Sequence, residues 1–324
     1  MRVLVTGGTG FLGSHLIEKL LEERDVEVHA LVRDPARLRW LAGVDRVHLL
    51  SGDLQNVPPL PAGLSSVFHL AGLTKTLKSS EYYTVNQKGT ASLLQALDGQ
   101  SDALRFVHLS SAAAGGPSTP RGPISEADPP RPLTPYGMSK LLAEEETLKY
   151  RDRFSIVILR PAAIYGPRDM DFLEYFRWVK RGILPLVGRR PKSLSLIFVR
   201  DAVRACLLAA KPHAPSGEVF NIADPKAYSW AGAGRIAAGL LGKKPIRVRF
   251  PYWSAYLAGA ASEGVGRIGG KAPIFNVDKW RELKPDDWAV DVRKARERLG
   301  FETRFSLEQG FGETIAWYIW QGLL

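Results

Sequence analysis

A single cysteine, Cys206, stands in 324 residues, so no internal disulfide can form and nothing in the sulfur chemistry calls for an oxidising compartment. It lies in the apolar helical pattern DAVRACLLAAK, a core position and not a nucleophile's. No apolar run approaches the roughly 18 residues of a membrane span, which argues against stable membrane insertion. Met1 stands one residue before the first apolar run, leaving no room for a signal peptide, and a cytoplasmic protein is expected. Acidic residues are fewer than basic ones, 33 against 44, for a net charge of +11. The bases are spread along the chain and form no single arm, so no nucleic-acid partner is expected. Two small basic clusters, GRRPK (188–192) and GKKPIRVR (242–249), leave an anionic substrate or a membrane surface to consider. The six histidines lack metal-ligand spacing, and His69 and His108 sit in strand-like runs as hydrogen-bonded structural residues; no metal is expected.

What is present is a strong α/β pattern in which 45% of residues are apolar. Strand-like runs at 3–5, 26–32, 46–51, 66–71, 104–111, 155–160 and 218–223 alternate with helical periodicity. That alternation predicts a doubly wound parallel Rossmann sheet with a smaller, mainly helical C-terminal substrate lobe. Residues 1–165 read as the dinucleotide-binding domain and 166–324 as mainly the substrate lobe, with strands near 195–200 and 218–223 returning to the sheet. The stretch from 112 to 135 is rich in proline, glycine and serine, a long irregular loop beyond a strand end, where such sheets bind ligands.

The first strand runs into TGGTGFLG, and a helix follows. Glycine permits a tight turn and close backbone approach, and a helix N-terminus offers unpaired N–H groups to a pyrophosphate. Gly7, Gly10, Phe11, Leu12 and Gly13 are therefore expected to hold a dinucleotide. An acid about 20 residues past the last glycine would clasp the ribose of NAD. This chain has Arg33 there, with Asp34 and Arg37 following. A guanidinium suits a 2′-phosphate, so NADP(H) is favoured over NAD(H).

After the irregular loop comes LTPYGMSKLLAEEE, with Thr134 as N-cap and Pro135 at the first helical position. Tyr136 and Lys140 then share a helix face. A nearby ammonium favours the phenolate, so the pair can move a proton while a nicotinamide moves a hydride. At the end of the preceding strand stand Ser110 and Ser111, which face opposite ways; Ser111 is the chosen third catalytic member and Ser110 the reserve.

These segments, with GDL (52–54), HLAG (69–72), VNQKGT (85–90), SSA (110–112), YGMSK (136–140) and RPAAIYGP (160–167), make the chain resemble an extended short-chain dehydrogenase/reductase. The resemblance covers essentially the whole chain and is to the NAD(P)-dependent epimerase/dehydratase group. It implies that Asp53 and Leu54 flank the adenine, that Ala71 and Gly72 line the cofactor groove, and that Asn86 braces the site among the cofactor-binding residues. It also implies that Pro161 to Ile164 pass the nicotinamide and that the helices carrying Asn86 and Tyr136 form a homodimer. Where nucleotide-sugar members carry an asparagine and a phosphate-gripping arginine, this chain has Ala163 and Leu194. That departure argues against a nucleotide sugar, while ALVRDP (30–35) and RPAAIYGP (160–167) resemble the hydroxysteroid dehydrogenase and dihydroflavonol reductase branch, which implies a small, fairly apolar alcohol or ketone as substrate. A nucleotide-sugar epimerase or dehydratase, with Arg189, Arg190 or Lys192 as substitute phosphate ligands, is the alternative, and a non-catalytic NADP(H) sensor is a third.

Overall fold

Runs of β-branched and aromatic residues build a seven-stranded sheet, here described from a computed structural model that covers residues 1–270, 273 and 276–324. Its strands are β1 (Arg2–Thr6), β2 (Glu27–Val32), β3 (Val47–Ser51), β4 (Ser66–His69), β5 (Arg105–Leu109), β6 (Ser155–Pro161) and β11 (Glu218–Ile222). The order is β11-β6-β5-β4-β1-β2-β3, and every pairing is parallel. The order reverses between β1 and β4, which opens a crevice at their carboxyl ends.

Both faces of the sheet are buried, as a parallel sheet requires. Val3, Val5, Val107, Val157 and Leu159 point to one side, with Leu16 and Ile17 of α1 (Phe11–Leu21) and Val203 and Cys206 of α7 (Val199–Ala209). Leu4, Val67, Phe106, Ile156 and Ile158 point to the other, against Leu93 and Leu94 of α3 (Gly89–Ala96). Before α3, α2 (Ser79–Tyr82) leads into a π-helical turn over Tyr83–Lys88. Cys206 is fully buried, and desolvation pushes its thiol up to about 12, so the core reading of this residue holds.

The remaining elements are α4 (Ala112–Gly115), α5 (Pro135–Leu148), β7 (Ala163–Tyr165), α6 (Leu173–Lys180), β8 (Ile183–Val187), β9 (Ser193–Leu194), β10 (Leu196–Phe198), β12 (Tyr228–Ser229), α8 (Trp230–Leu240), β13 (Ile246–Phe250), α9 (Tyr252–Gly269), α10 (Val277–Glu282), β14 (Asp287–Trp288), α11 (Arg293–Leu299) and α12 (Leu307–Trp320). One expectation fails here. The strand near 195–200 does not return to the main sheet, because β11 already occupies the outer edge of β6, from Glu218 against Val157 to Ile222 against Pro161. β10 pairs with β7 instead, Leu196 against Ala163 through Phe198 against Tyr165. A second correction concerns 112–135, which opens with the short helix α4, capped by Ser111, and is not irregular throughout. The boundary at residue 165 is also porous, since α7 and β11 belong to the sheet layer and one apolar cluster runs from Val3 to Tyr318. Among the described residues no helix is long and apolar enough to cross a membrane.

Candidate active site

The glycine turn after β1 is shaped by contacts that a side chain would block. Gly7 has φ +75°, and a Cβ there would lie 2.7 Å from the Ala71 nitrogen; at Gly13 a Cβ would lie 2.2 Å from the Gly7 carbonyl oxygen. The Gly10 N–H donates to the Gly7 carbonyl at 3.0 Å, and Gly10 caps α1 without any side chain. Phe11 and Leu12, at that uncapped helix start, line a continuous cleft of about 2140 Å³. Unpaired N–H groups at a helix start next to side-chain-free backbone fit a dinucleotide's pyrophosphate.

At one end of the cleft Arg33, Asp34 and Arg37 form an exposed rim beyond β2. The Asp34 carboxylate accepts from the Ala36 N–H at 3.0 Å and pairs with Arg37 at 3.3 Å, so it is held in its own turn. Arg39, with φ +52°, and Trp40 complete the rim; neither was singled out in the sequence. Asp53 and Leu54 line the same end, although the Asp53 carboxylate already accepts from the N–H groups of Gln55 and Asn56, both at 2.8 Å. Ala71 and Gly72, at the end of β4, and Pro161 and Ile164, where β6 bends into β7, line its middle.

Tyr136 and Ser111 meet at that middle section. Thr134 accepts from the Gly137 N–H at 3.2 Å and Pro135 opens α5, which sets Tyr136 in the first turn on the cleft wall. Burial holds the Tyr136 hydroxyl above the ordinary tyrosine range, while a hydrogen bond with Ser111 and the charge of Lys279 pull it down. Ser110 is turned the other way, and its hydroxyl donates to the buried carboxylate of Glu144. Lys140 lies one layer behind the wall: its Nζ donates to the Leu109 carbonyl at 2.6 Å and would sit 3.7 Å from a Cβ on Gly72. Desolvation brings its ammonium down to about 8, against the opposing pull of Glu144.

Asn86 does not line the cleft. It is buried in the π-helical turn, where its side chain accepts from the Leu73 N–H at 2.7 Å and donates to the Leu73 carbonyl at 3.1 Å and to Ser139 at 2.9 Å. With every polar atom engaged, it braces the loop after Gly72 against α5. His69 and His108 are likewise structural. His69 bonds Thr6 and Thr90, His108 bonds Thr147, and desolvation drives His69 down to about 3, keeping it neutral.

The other half of the cleft is walled by Met170, Phe172, Tyr175, Trp178, Val187, Leu194, Trp230, Phe250 and Trp288. Ala163 and Leu194 are both on this wall. Lys279 and Glu282, from α10, add a 2.9 Å ion pair near Tyr136, and Lys75 pairs with Asp171. The charges of Glu282 and Asp171 raise the ammonium of the half-exposed Lys279 to about 12. Lys279, Glu282 and Asp171 come from the C-terminal half, whereas Lys75 comes from the loop after β4. Of the three upstream cations, Lys192 alone reaches the cleft wall; its buried Nζ donates to the Pro285 carbonyl at 2.7 Å and the Lys284 carbonyl at 3.3 Å. Arg190 is exposed and pairs with Asp286 at 3.4 Å.

A Rossmann sheet with a glycine cradle at its switch point, and a serine and tyrosine on the adjoining wall, defines a nicotinamide-dinucleotide enzyme of the short-chain type. Residues 3–223 match the NAD dependent epimerase/dehydratase family, and the chain belongs to it. It is an NAD(P)-dependent enzyme of the extended short-chain dehydrogenase/reductase type. A ceramide reductase of Caulobacter vibrioides is 31% identical over 98% of this chain and 94% of that protein. The decarboxylating sterol-4-alpha-carboxylate 3-dehydrogenase of Saccharomyces cerevisiae is 29% identical over 97% of both. Among solved structures, MoeE5 in complex with UDP-glucuronic acid and NAD is 29% identical, with a TM-score of 0.76 over 99% of this chain and 100% of that one.

Proposed function

We propose that the protein is an NADP(H)-dependent oxidoreductase that interconverts a secondary alcohol and a ketone on a fairly apolar small molecule. The observation that carries this is the set of aromatic and aliphatic side chains that line the cleft together with Tyr136, with Ala163 and Leu194 where, by the family resemblance, a sugar diphosphate would need polar partners. A buried anion without such partners is costly, whereas an apolar ketone loses nothing there. The names of the reductase and sterol-dehydrogenase relatives support the same class of substrate. Arg33 at the rim, with Asp34 held in its own turn, supports a 2′-phosphate and so NADP(H). One thiol, buried, leaves no disulfide to maintain and supports a cytoplasmic setting.

When bound, the nicotinamide gives or takes the hydride. Gly7, Gly10, Gly13, Phe11 and Leu12 hold the pyrophosphate, and Ala71, Gly72, Pro161 and Ile164 confine the rest of the dinucleotide. Ser111 donates a hydrogen bond to the reacting oxygen and steadies the charge that develops on it. Tyr136 passes its hydroxyl proton to that oxygen in reduction and takes it back in oxidation. Lys140 supplies positive charge behind Tyr136, which lowers the cost of the phenolate.

A buried cation on the cleft wall, Lys192, favours the second reading, a nucleotide-sugar epimerase or dehydratase, although two carbonyls already engage its Nζ. The test is NADPH oxidation against a panel of apolar ketones, alongside calorimetry with nucleotide sugars on the cofactor-loaded protein. Apolar ketones are expected to consume NADPH, and UDP- and dTDP-sugars to bind in the millimolar range or not at all. Micromolar nucleotide-sugar binding that is lost in Lys192→Met, without net NADPH consumption, would replace the reductase reading with the epimerase one.

A further inference from the structure

Helix α9 presents two unlike faces. Ala255, Gly259 and Gly266 turn inward, and Ser254, Ala255 and Ala258 line the cleft. On the outer side Trp253, Leu257, Ala261, Val265 and Ile268 follow one another at helical spacing, and all are exposed. Trp253 is 66% exposed, Val265 71% and Ile268 91%. The helix's acidic residue, Glu263, does not interrupt the stripe, because its carboxylate accepts from the Val277 N–H at 2.9 Å.

The ribbon formed by β8 and β13 continues this surface. Ile183, Pro185 and Val187 lie opposite Ile246, Val248 and Phe250, so these six residues share one face. Pro185, Val187 and Phe250 are cleft wall, while Ile246 at the far end is 73% exposed. An apolar track thus runs from inside the cleft to the protein surface. Cations gather at its outer end. The register that sets Ile183 against Ile246 brings Lys180 and Arg181 to the same end as Lys243 and Lys244, all exposed. Arg247 projects from the ribbon's other face. No Asp or Glu occurs from 175 to 200 or from 225 to 262.

We propose that α9 and the β8–β13 ribbon dock the protein onto the surface of an anionic lipid bilayer, placing the mouth of the apolar half of the cleft at the lipid. An exposed apolar stripe beside unopposed cations is the pattern of an interfacial helix, whose apolar face enters the headgroup and acyl boundary. Tryptophan favours that boundary, and lysine and arginine are drawn to anionic headgroups. The 18-residue helix lies on the surface, since no described helix is long and apolar enough to cross. An apolar substrate then moves along the ribbon without entering water. That delivery role rests on the reductase reading above, whereas the docking does not.

Vesicle co-sedimentation of the full chain, without cofactor or substrate, tests the docking separately from the activity. Wild type is expected to pellet with equimolar phosphatidylglycerol–phosphatidylcholine vesicles, to be released by high salt, and to ignore pure phosphatidylcholine. Each basic residue near the surface is expected to contribute about fivefold, so Lys243→Gln with Lys244→Gln weakens binding roughly 25-fold. A Trp253→Ser, Leu257→Ser, Ile268→Ser triple variant is expected to lose at least about tenfold, with melting temperature and NADPH affinity unchanged. No binding of wild type to the anionic vesicles, or binding that neither variant reduces, overturns the proposal. So does a triple variant that turns a dimer into a monomer in ultracentrifugation yet binds vesicles as before, which assigns the stripe to a second copy of the chain.

Discussion

The buried carboxylate of Glu144 grips the Arg160 guanidinium through two hydrogen bonds, Nε to Oε1 at 2.9 Å and Nη2 to Oε2 at 2.6 Å. Ser110 donates to the same Oε1, which ties the end of β5 to α5 and β6 behind the cleft. The tie supports the choice of Ser111 over Ser110. With Ser110 held by Glu144, Ser111 is the one left on the Tyr136 side.

Ser111→Ala is therefore expected to cut turnover sharply with little change in cofactor affinity. Ser110→Ala should change turnover by no more than a few-fold. Steady-state kinetics on both variants decides, and the reverse ranking moves the role to Ser110. Glu144→Ala leaves the Arg160 charge buried and unpaired, a change that typically costs about 3–5 kcal/mol, and a large fall in melting temperature is expected.

Tyr136→Phe removes the proposed proton carrier and should lower turnover by about 10²–10⁴ while cofactor binding stays nearly unchanged. Lys140 adds a pH signature. Its ammonium, brought down to about 8, is charged below that pH, where it attracts an anionic dinucleotide. Above it, binding must first take up a proton, so NADPH affinity should fall by up to about tenfold per pH unit. Lys140→Met should bind more weakly at low pH and show a flat profile; a wild-type profile that is already flat contradicts the assignment.

Arg33→Ala should weaken NADP(H) binding and leave NAD(H) binding alone. Charge-assisted hydrogen bonds contribute about 1.5–3 kcal/mol, so the preference should shrink roughly ten- to a hundredfold. Fluorescence titration of both cofactors measures it. Equal affinities in the unmodified protein would remove Arg33 from the 2′-phosphate role.

The strands of the main sheet were legible because their apolar runs are local and bounded by turn residues. The Thr134-Pro135 start of α5 was legible for the same reason. Glu144 was within reach too, since Tyr136, Lys140 and Glu144 recur at four-residue steps on one helix face. The pairing of β10 with β7 was not, because it depends on β11 having taken the edge of β6, a fact about distant chain. The bonds from the Asn86 amide to Leu73 and Ser139 were not legible either, because they join residues far apart in the chain. Lys279, Glu282 and the aromatic wall arrive from separate helices of the C-terminal half, so no short segment carries their signature.

Asp169, just beyond β7, yields a prediction about stability. Its carboxylate accepts from the Asp171 N–H at 2.9 Å and the Phe172 N–H at 3.1 Å, just before α6 begins, but it is 94% removed from solvent, as its 6% exposure shows. Desolvation dominates and pushes its acidity up to about 7 from the ordinary 3.8. Between those two values the folded protein holds a proton that the unfolded chain has released. Stability from this residue is thus full below about pH 4 and declines as pH rises toward 7, by on the order of 4 kcal/mol at most. Asp169→Asn keeps the shape and one acceptor and removes the titration. The wild-type melting temperature should drop between pH 5 and pH 8 by more than that of the variant, and equal drops in the two proteins would show that Asp169 is ionised throughout.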